Sequence, residues 1–267
     1  MSQTPVYRAR NFLIGISLQR GKVPSFAEYP FSIPAIGKLN ELEFEQPVTF
    51  FIGENGSGKS TLLEAIAVAC GLNPEGGSRN FRFSTRASHS GLRDYLRLSR
   101  SPRRIRDSYF LRAESYFNVA TQIEALDEEA LGGAKIIASY GGRSLHEQSH
   151  GESFFALFMN RLGGEGLYLL DEPEAALSPQ RQLSVLTLIH RLIYHQSQLV
   201  IATHSPILLA YPNARIYHFS ESGISRINYT ETEHYQITKD FLNRHERMLD
   251  LLLSAEDEDL ESKRRKP

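Results

Sequence analysis

The sequence has no tryptophan, only three methionines and a single cysteine, Cys70. One cysteine cannot close an internal disulfide, which excludes a disulfide-stapled scaffold and points to a reducing compartment. No run approaches the roughly 18 consecutive apolar residues that a membrane-spanning helix needs. Met1 to Arg10 holds no apolar core of signal-peptide length before the polar stretch Gln19-Arg20-Gly21-Lys22. A soluble, cytoplasmic protein without a membrane span of its own is expected. A large charge excess is missing too. Thirty basic and 31 acidic residues leave a net charge of −1, which argues against a uniformly basic nucleic-acid binder. With 41% hydrophobic and 23% charged residues, disordered, collagenous and low-complexity classes are excluded. The 267 residues suffice for one substantial α/β domain or one domain with an inserted subdomain.

Phe12 to Leu18 reads as an opening strand, followed by prolines and glycines that mark turns. Val48-Thr49-Phe50-Phe51-Ile52 is β-prone without alternation, as in a parallel strand buried on both faces. Leu62, Leu63, Ile66, Ala67 and Cys70 share a helical face, and Gly71 closes that helix. Residues 76–108 are rich in Ser, Arg and Gly and read as an exposed, partly flexible excursion. Tyr109 to Ala113 resumes a strand, and 115–165 reads as mainly helical. Leu167 to Leu170 and Leu199 to Ala202 are further buried strands, separated by a helix over Gln180 to His195. Ala214 to Phe219 and Ile224 to Tyr229 form a hairpin pattern, and a final helix covers about Glu233 to Leu253. Strand–helix alternation with aliphatic strands predicts an α/β fold with a mostly parallel sheet flanked by helices.

The chemistry starts at Gly53-Glu54-Asn55-Gly56-Ser57-Gly58-Lys59-Ser60, which fits G-x-x-x-x-G-K-[ST] between a buried strand and an amphipathic helix. Glycines let the backbone wrap closely around phosphates and aim N–H groups inward, and the helix N-terminus adds partial positive charge. Lys59 is placed for the β- and γ-phosphates, the Ser60 hydroxyl for Mg²⁺, and Thr61 for a further phosphate contact. Asp171-Glu172 ends a buried strand, where unpaired carboxylates are expensive. A metal beside a nucleotide explains them. Asp171 would hold Mg²⁺, and Glu172 would orient and deprotonate the attacking water.

These residues and their C-terminal neighbours resemble ABC-type ATPases. Asp171-Glu172-Pro173 followed by Ala175-Ala176-Leu177-Ser178-Pro179 looks like the Walker B and D-loop of that superfamily, and His204 stands where it has its switch histidine. Gln148-Ser149-His150-Gly151-Glu152 resembles the signature, with His150 in place of a glycine and Glu152 in place of the glutamine. Glu152, Glu174 and Ser178 are more similar to the SMC-like and RecF-like branch than to transporter subunits. The interval from Leu72 to Ser149 is too short for the long coiled coil of that branch.

The resemblance implies a P-loop NTPase domain over 1–267. Residues 1–75 and 165–230 would form the nucleotide-binding core, with an N-terminal antiparallel β portion. Residues 76–164 would hold the arginine-rich excursion and a helical signature subdomain, and 231–267 a C-terminal helix and charged tail. It also implies a head-to-tail homodimer enclosing two ATP molecules. Ser149, Gly151 and Glu152 of one chain would then face the γ-phosphate held by Lys59 of the other. Glu114 occupies the Q-loop place, where glutamine is usual, with Gln122 further on. Tyr29 and Phe31 are candidates to stack on adenine, with core packing the competing role for either, and Arg8 or Arg10 for the base or α-phosphate.

Arg79 to Arg106 contains nine arginines against the one acid Asp94, a local charge of +8, so the remainder of the chain carries −9. Arg100, Arg103, Arg104 and Arg106, with aromatics Phe81, Phe83 and Tyr95 nearby, could follow a phosphate backbone. An acidic partner protein or plain solvation are the competing readings. Glu256 to Glu261 reads as a solvated tail ahead of the basic Lys263 to Lys266. The function expected is an ATP-hydrolysing dimeric switch acting on nucleic acid or an effector protein, in repair or defence. The alternatives are the energising subunit of a membrane transporter and a scaffold that hydrolyses little.

Overall fold

The computed structural model describes residues 11–78, 90–114, 121, 123, 127, 137–138, 142, 155–156 and 158–264, with side chains through 254. These separate into two compact units, Met1–Arg226 and Ile227–Pro267.

The first unit is built on a six-stranded sheet of order β5-β6-β7-β3-β8-β9. Its strands are β3 (Val48–Gly53), β5 (Asp107–Arg112), β6 (Gly166–Asp171), β7 (Gln198–Ala202), β8 (Arg215–Ser220) and β9 (Gly223–Ile227). Neighbours from β5 through β8 pair in parallel. Every residue of β3, β6 and β7 is buried, as their unbroken aliphatic and aromatic runs require. Parallel pairing places the C-terminal ends of β3, β5, β6 and β7 on one edge, where ligands bind in open α/β sheets. The expected α/β class and its mostly parallel sheet are what the structure has.

A second, antiparallel sheet of order β2-β1-β4 joins β1 (Leu13–Leu18), β2 (Glu41–Glu43) and β4 (Leu96–Arg100). Over 90–100 the structure corrects the reading of 76–108 as an exposed excursion, while 79–89 lie outside the described residues. Leu92 and Leu96 are buried, Leu98 packs against the core, and Leu18 pairs with Leu96. The alternation Leu96-Arg97-Leu98-Ser99-Arg100 is a half-buried strand pattern that the surrounding arginines obscured.

Helix α1 (Lys59–Ala69) shares one core with strands of both sheets. It therefore buries Glu64 and Ala65 as well as the expected face of Leu62, Leu63 and Ile66. The two sheets are joined by Gln198. Its side-chain oxygen accepts from the backbone of Phe12 (2.9 Å) and Leu13 (2.8 Å), and its amide donates to the Leu13 carbonyl (2.8 Å). Helix α2 (Pro179–Tyr194) starts at the Ser178 cap and buries Val185, Leu188, Ile189 and Leu192.

In the second unit, an Asn228–Glu231 capping box precedes helix α3 (Glu233–Arg264), which kinks at Arg244 (φ −141°, ψ 33°). The helix runs about eleven residues past its expected end, so Glu256 to Glu261 lies in helix rather than in a loose tail. Among the described residues, no helix is long and apolar enough to cross a membrane.

Candidate functional site

The turn after β3 needs its glycines for two separate reasons. Gly53 (φ 143°) lies against the Phe219 carbonyl, where a Cβ would clash. Gly58 (φ 98°) begins α1, and a Cβ there would sit 3.1 Å from the side chains of both Ile33 and Ile36. The turn thus curls tightly over the sheet edge and opens into a cavity of about 770 Å³. Glu54, Asn55, Gly56, Gly58, Lys59, Ser60 and Thr61 line one side. Glu114, Glu172, His204, Tyr29 and Ile33 line the rest.

Lys59 is almost fully buried. Its Nζ donates to the carbonyls of Gly53 (2.7 Å) and Glu54 (2.8 Å). Burial pushes its pKa down, while the charges of Glu172, Asp171 and Glu174 oppose that shift. An ammonium held on two carbonyls at the cavity wall is positioned to exchange them for anionic oxygens.

Asp171 ends β6, two strands from β3, and still reaches the head of α1. The Ser60 Oγ donates to Asp171 Oδ1 at 2.9 Å. Burial raises the Asp171 pKa to about 6, opposed by the Ser60 hydrogen bond and the Arg112 charge. These two oxygen donors suit Mg²⁺, which takes few protein ligands and shares the rest with phosphates and water. Among the described residues, no group of three His, Cys, Asp or Glu able to hold a metal occurs.

Glu172 adopts φ 51°, and its N–H donates to the Ala202 carbonyl at 2.9 Å. This turns its half-exposed carboxylate toward the cavity, 3.8 Å from His204 Nε2. Burial first, and the Lys59 charge second, lower the His204 pKa, with Glu172 opposing. Both effects favour the neutral imidazole.

The remaining expected residues fall in different places. Tyr29 is exposed at the cavity, whereas Phe31 is buried and packs edge-on against Tyr95 at 5.0 Å. Of the two adenine candidates only Tyr29 faces the cavity. Ser149, Gly151, Glu152, Gln122, Arg8 and Arg10 lie outside the described residues, as do Arg79, Arg82 and Arg86. Arg100 donates to the Ala69 carbonyl (2.6 Å), Arg103 to Gln196 (3.1 Å), and Arg106 pairs with Glu165 (2.6 Å). Arg103 also stacks over Phe12. Three of the four chosen arginines thus brace the fold, and Arg104 is exposed.

Arg112 was not anticipated. It ends β5 with its Nη1 2.7 Å from Glu64, its Nη2 3.7 Å from Glu114 and its Nε 3.7 Å from Asp171. A charged residue closing a buried strand was the signal, the same one that picked out Asp171.

Comparisons with known proteins agree with this geometry. A family model described as "AAA domain" matches residues 31–135. A second, "AAA domain, putative AbiEii toxin, Type IV TA system", matches 139–210. The first span contains the glycine turn, and the second Asp171, Glu172 and His204. No curated protein matches the chain. Among solved structures, an ATP-binding cassette of an ABC transporter superposes with a TM-score of 0.53 at 17% identity. That match covers 86% of this chain and 96% of the other. A "putative metal-chelate type ABC transporter" gives 0.50 at 16%, covering 85% and 88%. An SMC head domain from Thermotoga maritima gives 0.42 at 15%, covering 82% and 99%. At these identities the likeness is one of fold.

Proposed function

We propose that the chain is an ATPase of the ABC type that works as an ATP-gated dimeric switch. The observation that carries this reading is that Lys59, Ser60, Glu172 and His204 line one cavity, with Asp171 hydrogen-bonded to Ser60. These side chains come from the ends of two neighbouring parallel strands, β6 and β7, and the head of helix α1. The triphosphate would lie along the glycine turn, its terminal oxygens drawing Lys59 from the Gly53 and Glu54 carbonyls. Tyr29 supports a place for adenine at the cavity mouth.

Ser60 and Asp171 would hold Mg²⁺, which when bound neutralises charge on the phosphate oxygens. The chain's own residues do the rest. Glu172 accepts a proton from a water whose oxygen attacks the γ-phosphorus. The bond to the β–γ bridging oxygen breaks, leaving ADP and phosphate. Neutral His204, 3.8 Å from Glu172, donates toward the γ-phosphate.

The signature residues Ser149, Gly151 and Glu152 would complete the site from a second copy. Separation of the copies would follow hydrolysis. In this reading the output is passed to nucleic acid or an effector protein, in repair or defence. Phosphate release with Mg²⁺, together with mass measurement with and without ATP, tests both halves. A doubled mass on ATP addition and loss of nucleotide binding in Lys59→Ala are expected. A protein that stays monomeric under saturating ATP contradicts the switch.

The transporter-cassette neighbours favour a second reading, an energising subunit of a membrane transporter. Copurification of a membrane protein with the ATP-bound chain would select it.

A further inference from the structure

Glu172 and His204 lie on separate loops, and their spacing is only as firm as the joint between those loops. The structure shows how the joint is made. The segment after Glu172 runs through Glu174 to Ser178, and the segment after β7 through Thr203 to Ser205. Glu174 is largely buried, and its Oε1 accepts the His204 N–H at 2.6 Å. The Ser205 hydroxyl donates to the Gln182 side-chain oxygen at 2.6 Å, and the Gln182 amide donates to the Leu177 carbonyl at 3.0 Å. Ser205 Oγ in turn accepts the Leu208 N–H at 3.1 Å. With the Glu172 N–H on Ala202, three bridges lie in a row between the two segments.

A buried carboxylate is costly to keep unless it holds something. Burial raises the Glu174 pKa, and the His204 N–H hydrogen bond opposes that rise. Glu174, Gln182 and Ser205 do not line the cavity. Their arrangement bears directly on where His204 stands.

We propose that Glu174 and Gln182 are positioning residues that lock the His204 loop to the segment following Glu172, so that the chain itself sets the Glu172–His204 spacing. Glu174 acts as an acceptor, directly on the His204 amide. Gln182 acts one step further along, through Ser205. The proposal rests on the ATPase reading for its catalytic consequence and on the hydrogen bonds alone for its structural one.

The test compares Glu174→Ala, Glu174→Gln and Gln182→Ala with the parent protein. Readouts are steady-state ATP hydrolysis, thermal midpoint and hydrogen–deuterium exchange of the peptide spanning 203–206 without nucleotide. Glu174→Ala should lower kcat about a hundredfold, as for a misplaced catalytic group, with the KM for ATP little changed. Exchange at 203–206 should quicken by about tenfold or more. Glu174→Gln keeps an oxygen that accepts the His204 N–H and should restore most of both. Gln182→Ala should quicken exchange with a smaller loss in kcat.

An unchanged kcat in Glu174→Ala overturns the proposal. So does an equal fall in Glu174→Gln, or a rise in KM that matches the fall in kcat. If Glu174→Ala does not fold, Glu174→Gln and Gln182→Ala carry the decision. If the parent hydrolyses no ATP, the functional reading fails by itself. Exchange at 203–206 then decides the clamp, and unaltered protection in Gln182→Ala refutes it.

Discussion

Replacing Gln198 with Met keeps most of the side-chain volume and removes all three hydrogen bonds between β7 and the start of β1. Gln198 is fully buried, and so are Phe12 and Leu13. The variant therefore strands two backbone N–H groups and one carbonyl away from water. Each stranded group costs about 1–3 kcal/mol, so the change should destabilise by roughly 3–9 kcal/mol. That is a large share of the ~5–15 kcal/mol that holds a typical domain together. Urea titration followed by near-UV and far-UV circular dichroism measures it, the midpoint falling while the slope stays the same. The loss should be the same with and without ATP, because Gln198 does not line the cavity. A shift worth less than about 1 kcal/mol would refute the reasoning. It would mean that the Gln198 hydrogen bonds add little to how the two sheets are held together.

The site itself yields three more expected outcomes. Glu172→Gln removes the proton acceptor without disturbing the backbone bond to Ala202, so hydrolysis should fall by about 10²–10⁴ while ATP binding persists. Equilibrium binding beside phosphate release checks this, and unimpaired turnover would exclude Glu172 as the base. Asp171 carries a raised pKa of about 6, so the folded protein binds a proton that the unfolded chain releases near pH 4. The empty protein should therefore lose stability as pH rises from about 4 through 6, by an amount on the order of a few kcal/mol. Asp171→Asn should flatten that dependence in thermal melts, and an identical slope in both proteins would count against it. Replacing Arg100, Arg103, Arg104 and Arg106 by Gln should flatten any fall of nucleic-acid affinity with salt. Binding by filter retention that keeps its salt slope would remove this patch.

Much of this protein was legible in one dimension because its chemistry is local. The glycine turn, Lys59 and Ser60 lie within eight residues, and backbone geometry there follows from residue type. The buried strands show in unbroken aliphatic runs such as Leu167 to Leu170, since both faces of a parallel strand exclude water. Asp171 and Glu172 stand out because acids at the end of such a run need a partner. Contacts between distant segments leave no such trace. Nothing around Gln198 signals that it binds Phe12 and Leu13, and nothing around Glu174 names the His204 amide as its donor. Arg112 closes a buried strand, but only the pairing of β5 with β6 brings it to Asp171. The arginines of β4 and the turn after it read as a patch for a phosphate backbone, because their anchors, Ala69, Gln196 and Glu165, come from other elements. Local sequence thus determined the glycine turn and the strands, through backbone sterics and burial. The tertiary structure decided which polar groups meet, because a buried hydrogen bond depends on where two remote segments pack and not on what either contains.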